Sequence, residues 1–378
     1  MKKPISILLV AVLSMSLLIG CSNGADPANT DAPPISEPPA QSPSPAPSPP
    51  PSPVQPPTSE PPPEPTPTAP APVFDTGAIL ISAEELTAFI DDDNLILIGV
   101  INPAGEQDPA SNAANPISGS YLIWTSDYLG ANPESFTSRQ TFYRAPLADF
   151  ENLLSRAGIT ANSNVVVYSS DMLQQGSFIA WYLRMMGLNA RFLDGGVAAW
   201  RSIGGATGNS TRLSGESVKN TFSAPDYNPA SYDATLEMVI EAALNPSEWV
   251  IIDTRAAGEY NGETAGAGSF GAGRINGAVH IEWIRTLDPA NPGEGLIISD
   301  DQLMQLYSFI GNRKVITYCT GGLRSAHTWM LLTDLGFDAF NYNGGWIEFS
   351  YAASADSDYP KDVISDLVDA WTDNEGPL

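Results

Sequence analysis

The sequence predicts an α/β chain built from two copies of one unit, each a mostly parallel sheet flanked by helices. Three observations predict it. Four short runs are continuously apolar, LILI (95–98), VVVY (165–168), VII (250–252) and VITY (315–318), as expected of strands covered on both faces. These runs alternate with segments of helical period, and ISAEELTAFI (81–90) and ATLEMVIEAAL (234–244) open the two copies. The third observation is an ordered internal repeat. NLILIGVINP (94–103) matches EWVIIDTRAA (248–257), and ISGSYLIW (117–124) matches INGAVHIEW (275–283). SNVVVYSS (163–170) then matches RKVITYCT (313–320), and MMGLNARFLDGGVAAW (185–200) matches DLGFDAFNYNGGWIEF (334–349).

Each copy therefore reads as helix, strand, loop, short strand, helix, strand, loop, helix, strand and a closing Gly-Gly. The first copy spans 77–208 and the second 233–355, each near the usual size of a domain. Residues 209–232, rich in Ser, Gly, Asn and Pro, read as a surface linker. Residues 356–378 form an acidic tail, in which DVISDLVDAW (362–371) suits a last helix.

Residues 1–21 hold two lysines, then an apolar run that ends at Leu18-Ile19-Gly20-Cys21. The pattern is that of a secretory signal, too short for a membrane span with flanks on both sides. Its ending resembles the lipobox of bacterial lipoproteins. That resemblance implies cleavage before Cys21, a lipid on Cys21, and an extracytoplasmic protein anchored to a bacterial membrane. Residues 22–76 are dominated by Pro, Ser, Ala, Thr and Glu. Such a stretch cannot bury enough apolar surface to fold, and reads as an extended tether.

A net charge of −26 argues against nucleic acid as a partner. There are two cysteines, Cys21 and Cys319, so no disulfide framework is expected in the folded part. With one remaining thiol and two histidines, His280 and His327, no metal cluster of usual spacing can be built. No metal or cofactor is expected, and the protein is expected to be a monomer.

Cys319 lies in YCTGGLRSAH (318–327), on the turn between a strand and a helix. A lone cysteine is ordinarily a small buried hydrophobe. The sister turn changes that weighing. It reads YSSDMLQQGS (168–177), with Ser169 in place of Cys319 and neither an arginine nor paired glycines. It is also one residue longer, Ser169 to Gly187 against Cys319 to Gly336. Gly99 and Ile101 stand where the second copy has Asp253 and Arg255. The fold thus does not require Cys319, Arg324 or the glycine pair. The first copy reads as structural, walling one side of a cleft.

The chemistry follows from the loop. A thiolate is a strong nucleophile, and free cysteine is only slightly ionised near neutral pH. A helix starting near Gly322 to Ser325 aims its free N–H groups at the sulfur. Backbone N–H groups of Thr320, Gly321, Gly322 and Leu323 are expected around Sγ, and the glycines allow that curl. Arg324 offers a two-pronged fork for an anion with two oxygens, or else ties the first helical turn to a neighbouring loop. Ser325 either caps the helix or donates to substrate. Arg255 follows its strand at the end where α/β sheets hold ligands, with Glu259 as the alternative ion-pair partner. Asp253 reads as a backbone-bonding residue.

The second copy resembles a rhodanese domain through IIDTRAAGEYNG (251–262), GRINGAVHIEW (273–283), ITYCTGGLRSAHTWMLLTDLGF (316–337) and NYNGGWIEF (341–349). The first is similar through YSSDMLQQGSFIAWYLRMMGL (168–188) and LDGGVAAW (193–200), so the likeness covers about residues 78–352. It implies two tandem rhodanese-like domains, one inactive and one catalytic. It implies a thiosulfate sulfurtransferase: Cys319 takes the outer sulfur, sulfite leaves, and the persulfide passes sulfur to cyanide or a thiol. Arg255 matches the family's second substrate-binding arginine, and His280 stands where the family usually has Asn. An alternative donor is 3-mercaptopyruvate, whose transferases more often carry a small polar residue where Arg324 stands. A related cysteine phosphatase needs Cys-x5-Arg, and this loop is Cys-x4-Arg. A different class altogether is a tethered lipoprotein that docks a sulfur donor or a protein partner without chemistry.

Overall fold

The computed structural model describes residues 73–101, 115–130, 143–169, 173–224, 226–291 and 295–355. Cys21, most of the expected tether and the expected tail helix lie outside the described residues.

The strands are β1 (Leu80–Ile81), β2 (Leu95–Val100), β3 (Tyr121–Ile123), β4 (Leu129–Gly130), β5 (Tyr143–Arg144), β6 (Asn164–Ser169), β7 (Asn189–Leu193), β8 (Thr211–Arg212), β9 (Trp249–Asp253), β10 (Val279–His280), β11 (Lys314–Tyr318) and β12 (Ala339–Tyr342). The helices are α1 (Ala83–Leu86), α2 (Thr125–Tyr128), α3 (Leu147–Ala157), α4 (Leu173–Met185), α5 (Gly196–Ser202), α6 (Leu236–Leu244), α7 (Ala257–Tyr260), α8 (Asp300–Tyr307), α9 (Leu323–Asp334) and α10 (Gly345–Ala355). One sheet runs β1-β7-β6-β2-β3-β8 and the other β10-β9-β11-β12, every pairing in both being parallel. A parallel bridge from Asp233 to Asn341 flanks β12 as β1 flanks β7, so the two halves share one strand order. The fold is the mixed α/β, mostly parallel architecture that the apolar runs predict.

Side-chain bonding repeats with the strands. Gly99 pairs with Tyr168 across β2 and β6, and Asp253 with Tyr318 across β9 and β11. Each tyrosine hydroxyl accepts the N–H of an isoleucine, Ile117 at 3.1 Å and Ile275 at 3.2 Å. In the first half a Cβ on Gly99 would meet the Tyr168 hydroxyl at 2.6 Å. In the second that space holds the Asp253 carboxylate, to which Tyr318 donates at 2.5 Å.

Helices α4 and α9 pack together, one from each half. Their apolar faces merge into one core that holds Phe178, Trp181, Trp329 and Met330. His327 of α9 is fully buried in this seam, against the neighbouring helix α4. It meets Ser177 Oγ at 3.2 Å through Nδ1 and Thr286 Oγ1 at 3.0 Å through Nε2. Burial pulls its pKa down to about 4, so the seam holds a neutral imidazole.

Three expected boundaries shift. The folded body starts before residue 77, because Phe74 is buried edge-on against Phe89. The expected linker 209–232 is partly core: β8 pairs with β3, and Leu213 and Phe222 are buried. Its polar composition hides two apolar anchors spaced too far apart to read as an element. The opening helix of the first copy is the single turn α1, capped by Ser82.

Candidate active site

Strand β11 is buried from Val315 onward and ends one residue before Cys319. The chain then curls through Thr320 and Gly321 to Gly322, the N-cap of α9, at φ 90°. That angle suits glycine and not a residue with Cβ. The curl brings the Gly322 N–H to Cys319 Sγ at 3.1 Å. Cys319 is 2 % exposed. The sulfur therefore sits under the start of a twelve-residue helix, where unpaired N–H groups favour negative charge.

A second helix start holds the loop from behind. The carbonyls of Cys319 and Thr320 accept N–H bonds from Trp346 at 2.7 Å and Ile347 at 3.1 Å, in the first turn of α10. That approach requires Gly345, whose φ is +58° and whose absent Cβ would lie 2.5 Å from the Thr320 carbonyl oxygen. In the first half Gly196 approaches the Ser169 carbonyl in the same way. Gly345→Ala is expected to lower stability by about 2–4 kcal/mol through strained φ and overpacking. The measurement is urea unfolding, and a midpoint equal to wild type contradicts the close approach.

Two asparagines that the sequence reading passed over complete the loop. Asn341 Nδ2 donates to the Gly322 carbonyl at 3.1 Å, and Asn343 Nδ2 to the Gly321 carbonyl at 3.1 Å. Asn343 Oδ1 accepts the Arg144 N–H at 3.0 Å, so the first half braces the loop of the second. The signal for Asn341 was in the repeat: Phe192 stands at the matching place in β7. Ser325 corrects an expectation. It is fully buried and donates to Asn341 Oδ1 at 2.6 Å, so it neither caps α9 nor faces a substrate. Gly176 matches it in the first half, where a Cβ would press on the Phe192 ring at 2.7 Å. A polar Ser–Asn pair in one half thus replaces a Gly–Phe pair in the other.

Arg324 lies in the first turn of α9, five residues after Cys319. Its fork is filled by Glu259: Nη1 donates to Oε2 at 2.6 Å and Nη2 to Oε1 at 2.9 Å. Nη2 also donates to Thr320 Oγ1 at 2.7 Å, and that hydroxyl donates to Glu259 Oε1 at 2.8 Å. Burial alone would raise the Glu259 pKa. The Arg324 bonds and charge, with the Thr320 hydroxyl, outweigh it and bring the group to about 2.

Arg255 corrects two expectations at once. Its partner is Asp253 and not Glu259, with Nη2 to Oδ2 at 2.6 Å and Nε to Oδ1 at 3.0 Å. Nη2 also donates to the Gly273 carbonyl at 2.8 Å, and both members of the pair are 0 % exposed. Its guanidinium lies 5.0 Å from the centre of the Trp346 ring. Arg255 is therefore packed beneath the site and offers no fork to a ligand here. Asp253 does bond backbone, accepting the Arg255 N–H at 3.0 Å, but its larger task is this ion pair. His280 stacks on Tyr260 and reaches the Arg255 carbonyl at 2.8 Å. Among the described residues no group of acidic, Cys and His side chains is arranged to hold a metal ion.

Residues 239–352 match the family model of the Rhodanese-like domain. A protein of Mycobacterium bovis provisionally named thiosulfate sulfurtransferase 1 is 26% identical over 291 residues, covering 73% of this chain and 96% of its own length. One of Saccharopolyspora erythraea, provisionally named thiosulfate sulfurtransferase, is 25% identical over 296 residues, covering 74% of this chain and 99% of its own. Among solved structures, the anaerobic ergothioneine biosynthesis enzyme from Chlorobium limicola with trimethyl histidine has a TM-score of 0.58 at 18% identity, covering 75% of this chain and 69% of that one. At that identity the likeness is one of fold.

Proposed function

We propose that this chain, whose residues 239–352 match the rhodanese-like domain, is a tandem rhodanese that moves a sulfane sulfur through a persulfide on Cys319. One observation carries the reading. Cys319 Sγ lies under the Gly322 N–H with Arg324 on the same loop, while the matching turn of the first half begins with Ser169. The names of the relatives support thiosulfate as donor.

In this reading the Cys319 thiolate attacks the outer sulfur of thiosulfate. A sulfur–sulfur bond forms to Cys319, the one to the sulfonate breaks, and the electron pair leaves with sulfite. The persulfide then gives its outer sulfur to cyanide, forming thiocyanate, or to a thiol, and the thiolate returns. The Gly322 N–H and the start of α9 meet the negative charge on the Cys319 sulfur. The donor 3-mercaptopyruvate is a second reading, favoured by the carboxylate that already fills the Arg324 fork. It would deliver the same sulfur atom and leave as pyruvate, its methylene carbon taking the thiol proton.

The purified protein is expected to form thiocyanate from cyanide with thiosulfate or 3-mercaptopyruvate. Absence of turnover with both donors overturns the reading and leaves the docking lipoprotein. The address is part of the proposal too: a lipid on Cys21, a tether that runs from residue 22 to just before the buried Phe74, and an extracytoplasmic, membrane-anchored enzyme. A lipid mass on Cys21 in the protein from its native membrane supports that address, and an unmodified Cys21 there overturns it.

A further inference from the structure

Glu259 comes to the Cys319 loop from α7, well away in sequence, and closes on Arg324 with two bonds at 2.6 Å and 2.9 Å. Its carboxylate is planar and presents two oxygens. It therefore occupies the seat that the arginine fork offers to the sulfonate of thiosulfate, and it cancels the charge that would draw a dianion there. The pair is not sealed away: Arg324 is 24% exposed and Glu259 15%. A ligand can reach it and compete. Arg255 cannot substitute, because it is fully buried on Asp253.

We infer that Glu259 is a specificity-determining residue that holds the Arg324 fork against dianionic donors and tilts the Cys319 site toward donors bearing one negative charge. This rests on the sulfur-transfer reading. Thiosulfate brings two negative charges and must either displace the Glu259 carboxylate or bind beside it. Like charges at that distance repel, and the repulsion scales with the charge brought in. A donor such as 3-mercaptopyruvate brings one carboxylate and meets half of it. Mild acid does not open the seat, because Glu259 stays ionised down to about pH 2. The device is a fixed charge, so substitution tests it.

The experiment measures kcat and KM of the full-length protein for thiosulfate and for 3-mercaptopyruvate, with cyanide as acceptor. It compares wild type with Glu259→Gln, Glu259→Ala and Glu259→Asp. Each neutral variant is expected to raise kcat/KM for thiosulfate relative to mercaptopyruvate by about tenfold, mainly through KM. Glu259→Asp keeps the charge and is expected to keep the wild-type ratio. An equal loss with both donors in both neutral variants would show that Glu259 only positions Arg324, and overturns the inference. So does an unchanged ratio. The mass of Cys319 after each donor separates the two levels. If wild-type Cys319 gains sulfur from a donor but the ratio does not move, the inference alone falls. If it gains sulfur from neither, the sulfur-transfer reading falls and takes the inference with it.

Discussion

Cys319→Ser is expected to yield a folded protein that forms no measurable thiocyanate, with turnover down by on the order of 10⁴-fold or more, as for removal of a covalent nucleophile. The hydroxyl keeps the size of the thiol and still accepts the Gly322 N–H, so the loop has no reason to move. The first half shows that such a turn tolerates serine, since Ser169 sits buried at the end of β6. Stability should therefore change by less than about 1 kcal/mol. The checks are a thiocyanate assay beside urea unfolding. An active, fully folded serine variant contradicts the assignment of the nucleophile.

Asp253→Ala is expected to lower stability by about 3–5 kcal/mol, because it strands the buried Arg255 charge. Asp253 accepts from the Arg255 side chain, from its backbone N–H and from the Tyr318 hydroxyl. Without it Arg255 keeps the Gly273 carbonyl, while Nη1 has no hydrogen-bond partner among the described residues even in the wild type. Urea unfolding reads the loss directly. The result also tells apart two roles for Arg255. If that arginine served the donor, freeing it from Asp253 would lower the KM for thiosulfate and leave the fold sound. A sound fold with a lower KM contradicts the structural role described here.

Much of the architecture was legible because it is written locally. Apolar runs of three or four residues predict the central strands of both sheets, and the ordered repeat matches those of one half to those of the other. The loop from Cys319 to Arg324 was legible for the same reason, since its chemistry lies within six consecutive residues. What was misread turns on which way a side chain faces at the end of a strand and on partners from elsewhere in the chain. Glu259 lies four residues after Arg255, which invites pairing by helical spacing. The end of β9 instead turns Arg255 inward to Asp253, and α7 carries Glu259 to a loop 65 residues away from it in sequence. No local pattern announces such a pair. Ser325 reads as a cap from its place in the first turn of α9, but its partner Asn341 lies on the neighbouring β12. The repeat held that answer in part, because Ser325 and Asn341 change together to Gly176 and Phe192.

The central claim is that Cys319 itself carries the sulfur. The most direct measurement is the peptide mass of wild-type protein after incubation with donor in the absence of acceptor. One added sulfur atom is expected on the peptide containing Cys319, removed on adding cyanide with release of an equal amount of thiocyanate. Thiocyanate formed at the wild-type rate while Cys319 stays unmodified would contradict it.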